Sequence, residues 1–198
     1  MKRSAGILPA VRRHLAGIRF VRAGKMPASR RQDVGAPVMF RIGIGNDTHR
    51  LVAGRPLVLG GVTIPYEFGA EGHSDADALA HALIDAVLGA MADGDIGSHF
   101  PESNPKWKDA DSFAMLAHVM RRVEARGFHL VNADATVMIE RPKLREYIGS
   151  MRVNVARALN VDVGCVSVKA KTGEGLDAVG RGEAVSAQAI VLLSNETS

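Results

Sequence analysis

Gly72 to Gly97 reads GHSDADALAHALIDAVLGAMADGDIG, and the rest of the chain is organised around it. Leu79, Leu83, Ala86, Val87, Ala90 and Met91 recur at spacings of three and four, which predicts a helix with one apolar face. Asp77, His81 and Asp85 are each four apart and stack along a second face of that helix. A histidine flanked by carboxylates one turn away on either side is a candidate metal ligand, with Asp77 or Asp85 available to hold its far nitrogen. Ser74 occupies an N-cap position with Asp77 three residues on, an acidic form of the capping box. His73 and Ser74 would then lie at a helix N-terminus, where unpaired N–H groups and the helix dipole favour an anion.

Working outward, Phe40-Arg41-Ile42-Gly43-Ile44 alternates as a strand and ends in Gly45-Asn46-Asp47-Thr48-His49. Asp47 and His49 are two apart, so an extended backbone sends both side chains to one face. Residues 57–65 read as a hairpin turning at Gly60-Gly61, and Glu67 to Glu71 as a loop delivering the chain to His73. Beyond the central helix, Gly94-Asp95-Ile96-Gly97 breaks the pattern and Phe100 to Asn104 is a polar loop. Asp111-Ser112 caps a second helix with Phe113, Leu116, Met120 and Val123 as its core stripe and Gly127 as its stop. Leu130 to Ile139 alternates, with Val131, Ala133, Ala135, Val137 and Ile139 on one face. Leu144, Ile148, Met151, Val155 and Leu159 predict a third helix. Strands follow at Val166–Ala170 and Ala184–Leu193, with the turn Gly180-Arg181-Gly182-Glu183 before the last. The expected fold is α+β: a single domain, a mixed β-sheet with three helices packed on one face.

Two clusters carry chemistry. Asp47, His49 and His81 suffice for a catalytic zinc site, which uses three protein ligands and leaves a fourth position open. Lys169, Lys171, Thr172, Gly173, Glu174 and Arg181 fall within thirteen residues; a glycine-rich turn with cations and a hydroxyl suits phosphate, and the glutamate suits a hard cation bridging phosphates. Unrelated histidines and a solvated basic loop are the bland alternatives.

Composition excludes several classes. A chain of 198 residues, 46% hydrophobic and 23% charged, is long enough for one well-cored globular domain. No apolar run reaches membrane-spanning length, so no membrane partner is expected. The lone Cys165 forms no internal disulfide and reads as a small apolar residue. The formal charge of +4 is uneven: residues 1–38 hold nine basic side chains and one acid, Asp33, so the chain from residue 39 on is net acidic. Residues 1–38 are therefore a basic N-terminal extension outside the fold, with Met39 as the alternative start; a chain from Met39 is expected to fold and work like the full one. The extension resembles an organelle transit peptide, and no recognition pattern for nucleic acid accompanies its charge.

Asp47-Thr48-His49, the block Gly72 to Asp77 with His81, Gly94-Asp95-Ile96-Gly97, Phe100-Pro101 and Gly180-Arg181-Gly182-Glu183 occur in one order and spacing. In this the chain resembles the 2-C-methyl-D-erythritol 2,4-cyclodiphosphate synthase family over about Met39 to Leu193. The resemblance implies conversion of 4-diphosphocytidyl-2-C-methyl-D-erythritol 2-phosphate to the cyclic diphosphate plus CMP, in the non-mevalonate isoprenoid pathway. It implies a homotrimer with interfacial active sites. By the same resemblance, zinc is held by Asp47, His49 and His81, and Glu174 meets a magnesium or manganese ion on the substrate diphosphate. His73 and Thr172 stabilise the transition state, and Ser74 contacts phosphate. Pro142, Lys143, Leu144, Ala170 and Lys171 frame the cytidine pocket, Asp95 and Gly97 the methylerythritol end, and Arg181 the interface. The implied compartment is the cytoplasm, or a plastid if residues 1–38 are a transit peptide. Lys171, Ala178 and Glu102 depart from the family pattern, where threonine, an aromatic and aspartate are usual. A zinc phosphoester hydrolase and a non-catalytic trimeric binding protein are the competing readings.

Overall fold

In the computed structural model, residues 37–101, 103–107 and 110–196 are described; the basic extension, apart from its last two residues, and Glu102 lie outside them. The long strand β1 (Phe40–Ala53) is followed by the hairpin β2 (Leu57–Leu59) and β3 (Val62–Ile64), then β4 (Phe68–Ala70) and the central helix α1 (Ala78–Ala90). The one-turn helix α2 (Ile96–His99) leads to α3 (Ser112–Ala125), β5 (His129–Met138), α4 (Ile148–Leu159), β6 (Val166–Lys171), the one-turn α5 (Asp177–Gly180) and β7 (Ala184–Ser194). The main sheet is mixed, in the order β4-β1-β7-β5-β6, with β5 and β6 parallel and the other pairs antiparallel. The α+β architecture is as expected: α1 and α4 pack on one face of the sheet, and α3 lies against both helices.

Several local expectations are corrected. β1 does not end at Ile44 but runs on through Asp47 and His49 to Ala53, because its glycines are not stops. A Cβ on Gly43 would sit 1.9 Å from the Ala86 carbonyl oxygen, and one on Gly45 2.0 Å from that of Ala82. These residues let α1 lie directly on the strand backbone. Gly60 and Gly61 do make the hairpin turn, at φ 61° and 66°. Phe68–Ala70, read as loop, is a strand pairing with Leu51–Ala53. A bulge between Leu130 and Asn132 turns Val131 out and Leu130 in, so the alternation of β5 holds only from Ala133.

The helix start also moves. Asp77, not Ser74, is the N-cap of α1, accepting from the Leu79 and Ala80 N–H groups. Its second oxygen accepts from Gly61 N–H at 2.7 Å, so a wholly buried carboxylate ties helix to hairpin. Burial raises its pKa to about 6 against these backbone donors. The apolar surface of α1 is wider than one face, since ten of its residues are buried and only His81, Asp85 and Gly89 form a less covered stripe. The opposite sheet face is open and apolar at one end, with Phe40, Ile42, Ile44 and Ile190 exposed.

Candidate metal centre and phosphate cavity

The register of β1 sends Asp47 and His49 toward the helix layer, where His81 waits one turn into α1. The Asp47 Oδ2 lies 2.8 Å from His49 Nε2 and 3.0 Å from His81 Nδ1, and the two imidazole nitrogens are 3.1 Å apart. All three side chains are partly buried.

The surroundings favour one nitrogen of each ring as the proton carrier when the ring is neutral. His49 Nδ1 faces the Glu71 carbonyl at 2.7 Å; a carbonyl only accepts, so Nδ1 is the N–H and Nε2 is bare. His81 Nε2 faces the hydroxyls of Ser112 and Ser74 at 2.9 and 3.0 Å. With Nε2 as the donor there, Nδ1 is bare. In that form two imidazole lone pairs and a carboxylate oxygen converge on one point, which suits a cation. Nitrogen and oxygen donors of this kind fit zinc. Burial alone would raise the Asp47 pKa, but when protons take the place of a metal ion on the facing nitrogens, hydrogen bonds and charge from His49 and His81 outweigh it and hold the carboxyl well below its usual range. Burial would lower His49, yet the hydrogen bond and charge of Asp47 leave its pKa raised. The same electronegative point attracts a proton or a metal ion.

Neither Asp77 nor Asp85 holds the far nitrogen of His81. Asp77 caps α1, and Asp85 accepts from Ile96 N–H at 2.8 Å, its pKa raised by burial. The residues behind His81 are Ser74 and Ser112, and Ser112 comes from another helix 31 positions away, a contact that no local pattern encodes.

Loop 72–77 carries His73 and Ser74 beside this centre. Ser74 is buried, and its hydroxyl also accepts from Ala76 N–H at 3.1 Å. Asp95 N-caps α2, accepting from Ser98 N–H and Oγ–H, and Gly97 lies in that helix.

The second cluster divides. Pro142, Lys143, Leu144, Ala170, Lys171, Thr172 and Glu174 line one cavity of about 980 Å³, and Thr172 Oγ1 donates to Glu174 Oε1 at 2.7 Å. Lys169 instead pairs with Asp134, and Arg181 makes a two-point ion pair with Glu183 at 3.0 and 2.9 Å. Within one chain the cavity and the triad are held apart, because β6 is three strand positions from β1, roughly 14 Å at ordinary strand spacing.

The YgbB family matches residues 40–194, which takes in every element described above. The chain belongs to that family. Among its relatives, 2-C-methyl-D-erythritol 2,4-cyclodiphosphate synthase of Geobacillus kaustophilus is 57% identical over 155 residues, covering 78% of this chain and 98% of the relative. The enzyme of that name from Salinibacter ruber is 58% identical over 149 residues, covering 75% and 95%. Among solved structures, a 2C-methyl-D-erythritol-2,4-cyclodiphosphate synthase in a CDP-bound form superposes with a TM-score of 0.72 at 43% identity, covering 77% of this chain and 99% of that one. The bifunctional IspDF of Campylobacter jejuni gives 0.77 at 39% identity, covering 80% and 43%.

Proposed function

We propose that this chain is a 2-C-methyl-D-erythritol 2,4-cyclodiphosphate synthase of the non-mevalonate isoprenoid pathway. The observation that carries the reading is the convergence of bare nitrogens and a carboxylate at Asp47, His49 and His81, in a chain aligned along almost the whole length of enzymes of that name. The substrate, 4-diphosphocytidyl-2-C-methyl-D-erythritol 2-phosphate, carries both nucleophile and leaving group. A 2-phosphate oxygen bonds to the β-phosphorus, the bond from that phosphorus to the CMP oxygen breaks, and CMP leaves with the electron pair. No covalent serine or cysteine is needed, and the protein's task is positioning, worth roughly 7–11 kcal/mol for a near-attack geometry.

The residues divide this work. Pro142, Lys143, Leu144, Ala170 and Lys171 receive the cytidine end in their cavity. Asp95 and Gly97 meet the methylerythritol end. His73 and Thr172 donate to oxygens on which charge develops, and Ser74, its hydroxyl turned to His81, meets phosphate through its backbone. Asp47, His49 and His81 would hold zinc and Glu174 a magnesium or manganese ion; these supply Lewis acidity and neutralise the diphosphate charge. One exposed carboxylate such as Glu174 suits a cation whose other ligands come from substrate phosphates.

Two features support a homotrimer with sites between subunits: the separation of triad and cavity within one chain, and the exposed Phe40, Ile42, Ile44 and Ile190 on the open sheet face. Arg181, with Glu183, lies on that interface. No helix among the described residues is long and apolar enough to cross a membrane. From its likeness to the relatives above we assign the protein to the cytoplasm, with residues 1–38 outside the working domain. Phosphorus NMR of the full chain with substrate, zinc and magnesium tests the proposal. Cyclic diphosphate appearing in step with CMP supports it. CMP with a linear diphosphate identifies water as the nucleophile and a hydrolase, and absence of turnover by a zinc-loaded trimer identifies a binding protein.

A further inference from the structure

Behind the triad lies a polar chain, buried at Ser74 and Ser112 and partly exposed at Asp75, with no evident place in the reaction. Ser112, the first residue of α3, is wholly buried, and its hydroxyl donates to Asp75 Oδ1. Asp75 Oδ2 accepts from the Ser112 N–H at 3.2 Å, so the carboxylate grips both donors of one residue. A carboxylate only accepts, so the Ser112 proton is committed to Asp75 and its oxygen can offer only lone pairs to His81 Nε2, 2.9 Å away. Ser74 Oγ, 3.3 Å from Ser112 Oγ, completes that oxygen's coordination. Its own 3.0 Å approach to Nε2 is compatible with the same polarity.

We propose that Asp75 and Ser112 are positioning residues for metal binding: through Ser112 Oγ, the Asp75 carboxylate fixes His81 with its proton on Nε2 and its Nδ1 lone pair turned to Asp47 and His49. This rests on the reading of Asp47, His49 and His81 as a zinc site. Hydrogen-bonded partners of metal-ligating histidines typically govern metal affinity by ten- to a hundredfold. Here the partner is a serine–carboxylate pair reached across the loop, and it couples the seating of loop 72–77 on α3 to the electronics of the metal ligand. The backbone bond from Asp75 N–H to the Ala110 carbonyl, 3.2 Å, holds the loop in place independently of either side chain.

The test is a double-mutant cycle on the full chain, with Ser112→Ala, Asp75→Asn and the pair, and with His81→Ala alongside. Zinc affinity is read by competition with a chromophoric chelator, coordination by the visible spectrum of the cobalt-substituted protein, and folding by thermal melts of the metal-free forms. Each single variant is expected to weaken zinc binding about tenfold or more and to shift the cobalt bands. The Asp75→Asn effect should vanish in the Ser112→Ala background, because the hydroxyl carries it. Asp75→Asn, nearly isosteric, carries the test where Ser112→Ala does not fold. If both variants bind zinc and cobalt as the unaltered protein does while His81→Ala does not, the proposal is overturned and the zinc site stands. Additive effects that follow the melting temperature with unchanged cobalt bands reduce the pair to a structural staple and also overturn it. If His81→Ala retains full zinc affinity, the zinc reading itself falls.

Discussion

The triad and the cavity are built in opposite ways. The triad sits where a strand and a helix touch backbone to backbone, and each of its imidazoles is braced from behind by an acceptor, the Glu71 carbonyl or Ser112. The cavity at 139–148 and 170–174 lies against an edge strand, and within it Thr172 bonds to the exposed Glu174. Holding converging lone pairs together is costly without a rigid frame, whereas receiving a large polyanion calls for exposed, adjustable groups. Changes near the triad should therefore couple stability to metal, and changes in the cavity should leave both alone.

The sharpest break of this contrast is His81→Ala, which removes one ligand and a bare nitrogen from the buried point. CMP release should fall at least about a hundredfold, with bound zinc lost by elemental analysis and the fold intact by circular dichroism. Gly43→Ala comes next, since its methyl would meet the Ala86 carbonyl oxygen. Destabilisation of about 3 kcal/mol in denaturant melts is expected, because helix and strand must part, and zinc should be lost with it. Survival of full zinc affinity there would show that the frame is not what holds the triad. In the cavity, Lys171→Ala should raise KM about tenfold through loss of a phosphate or nucleotide contact, with zinc content and melting temperature unchanged. A change in zinc content would erase the distinction between the two regions.

The smallest effect is expected at Asp93, just beyond α1, where hydrogen bonds from Arg122 and Arg126 of the α3 region lower the carboxyl pKa to about 2. A depressed carboxylate contributes stability above its unfolded pKa, near 3.8, that is lost as pH falls through the folded value. Asp93→Asn should thus cost under about 1 kcal/mol at neutral pH, given its half-exposed arginine partners, an effect that shrinks as pH falls through the folded value and vanishes only well below it. Melts across that range check it, and a loss that does not shrink as pH falls through the folded value would assign Asp93 a role other than charge.

Much of this protein was legible from one dimension. Hydrophobic period places α1, α3 and α4, the paired glycines at 60 and 61 place the hairpin, and the spacing of Asp47 and His49 puts both on one face, because side-chain direction along a strand or helix is fixed by local geometry. That His81 joins them is what the family resemblance implies. Where the sequence misled, a non-local partner had decided. Gly43 and Gly45 look like the end of a strand until α1 is laid across them. Ser74 looks like the cap of α1 until Asp77 is seen to serve the helix and Gly61 together. Val131 fits the inward alternation until the bulge opposite β7 turns it out. Ser112 and Asp75, 37 residues apart, acquire meaning only when α3 folds onto the loop. Local sequence determined which elements form and which faces they offer. Only the tertiary structure decided which nitrogen of each histidine is bare, because that depends on acceptors brought from elsewhere in the chain.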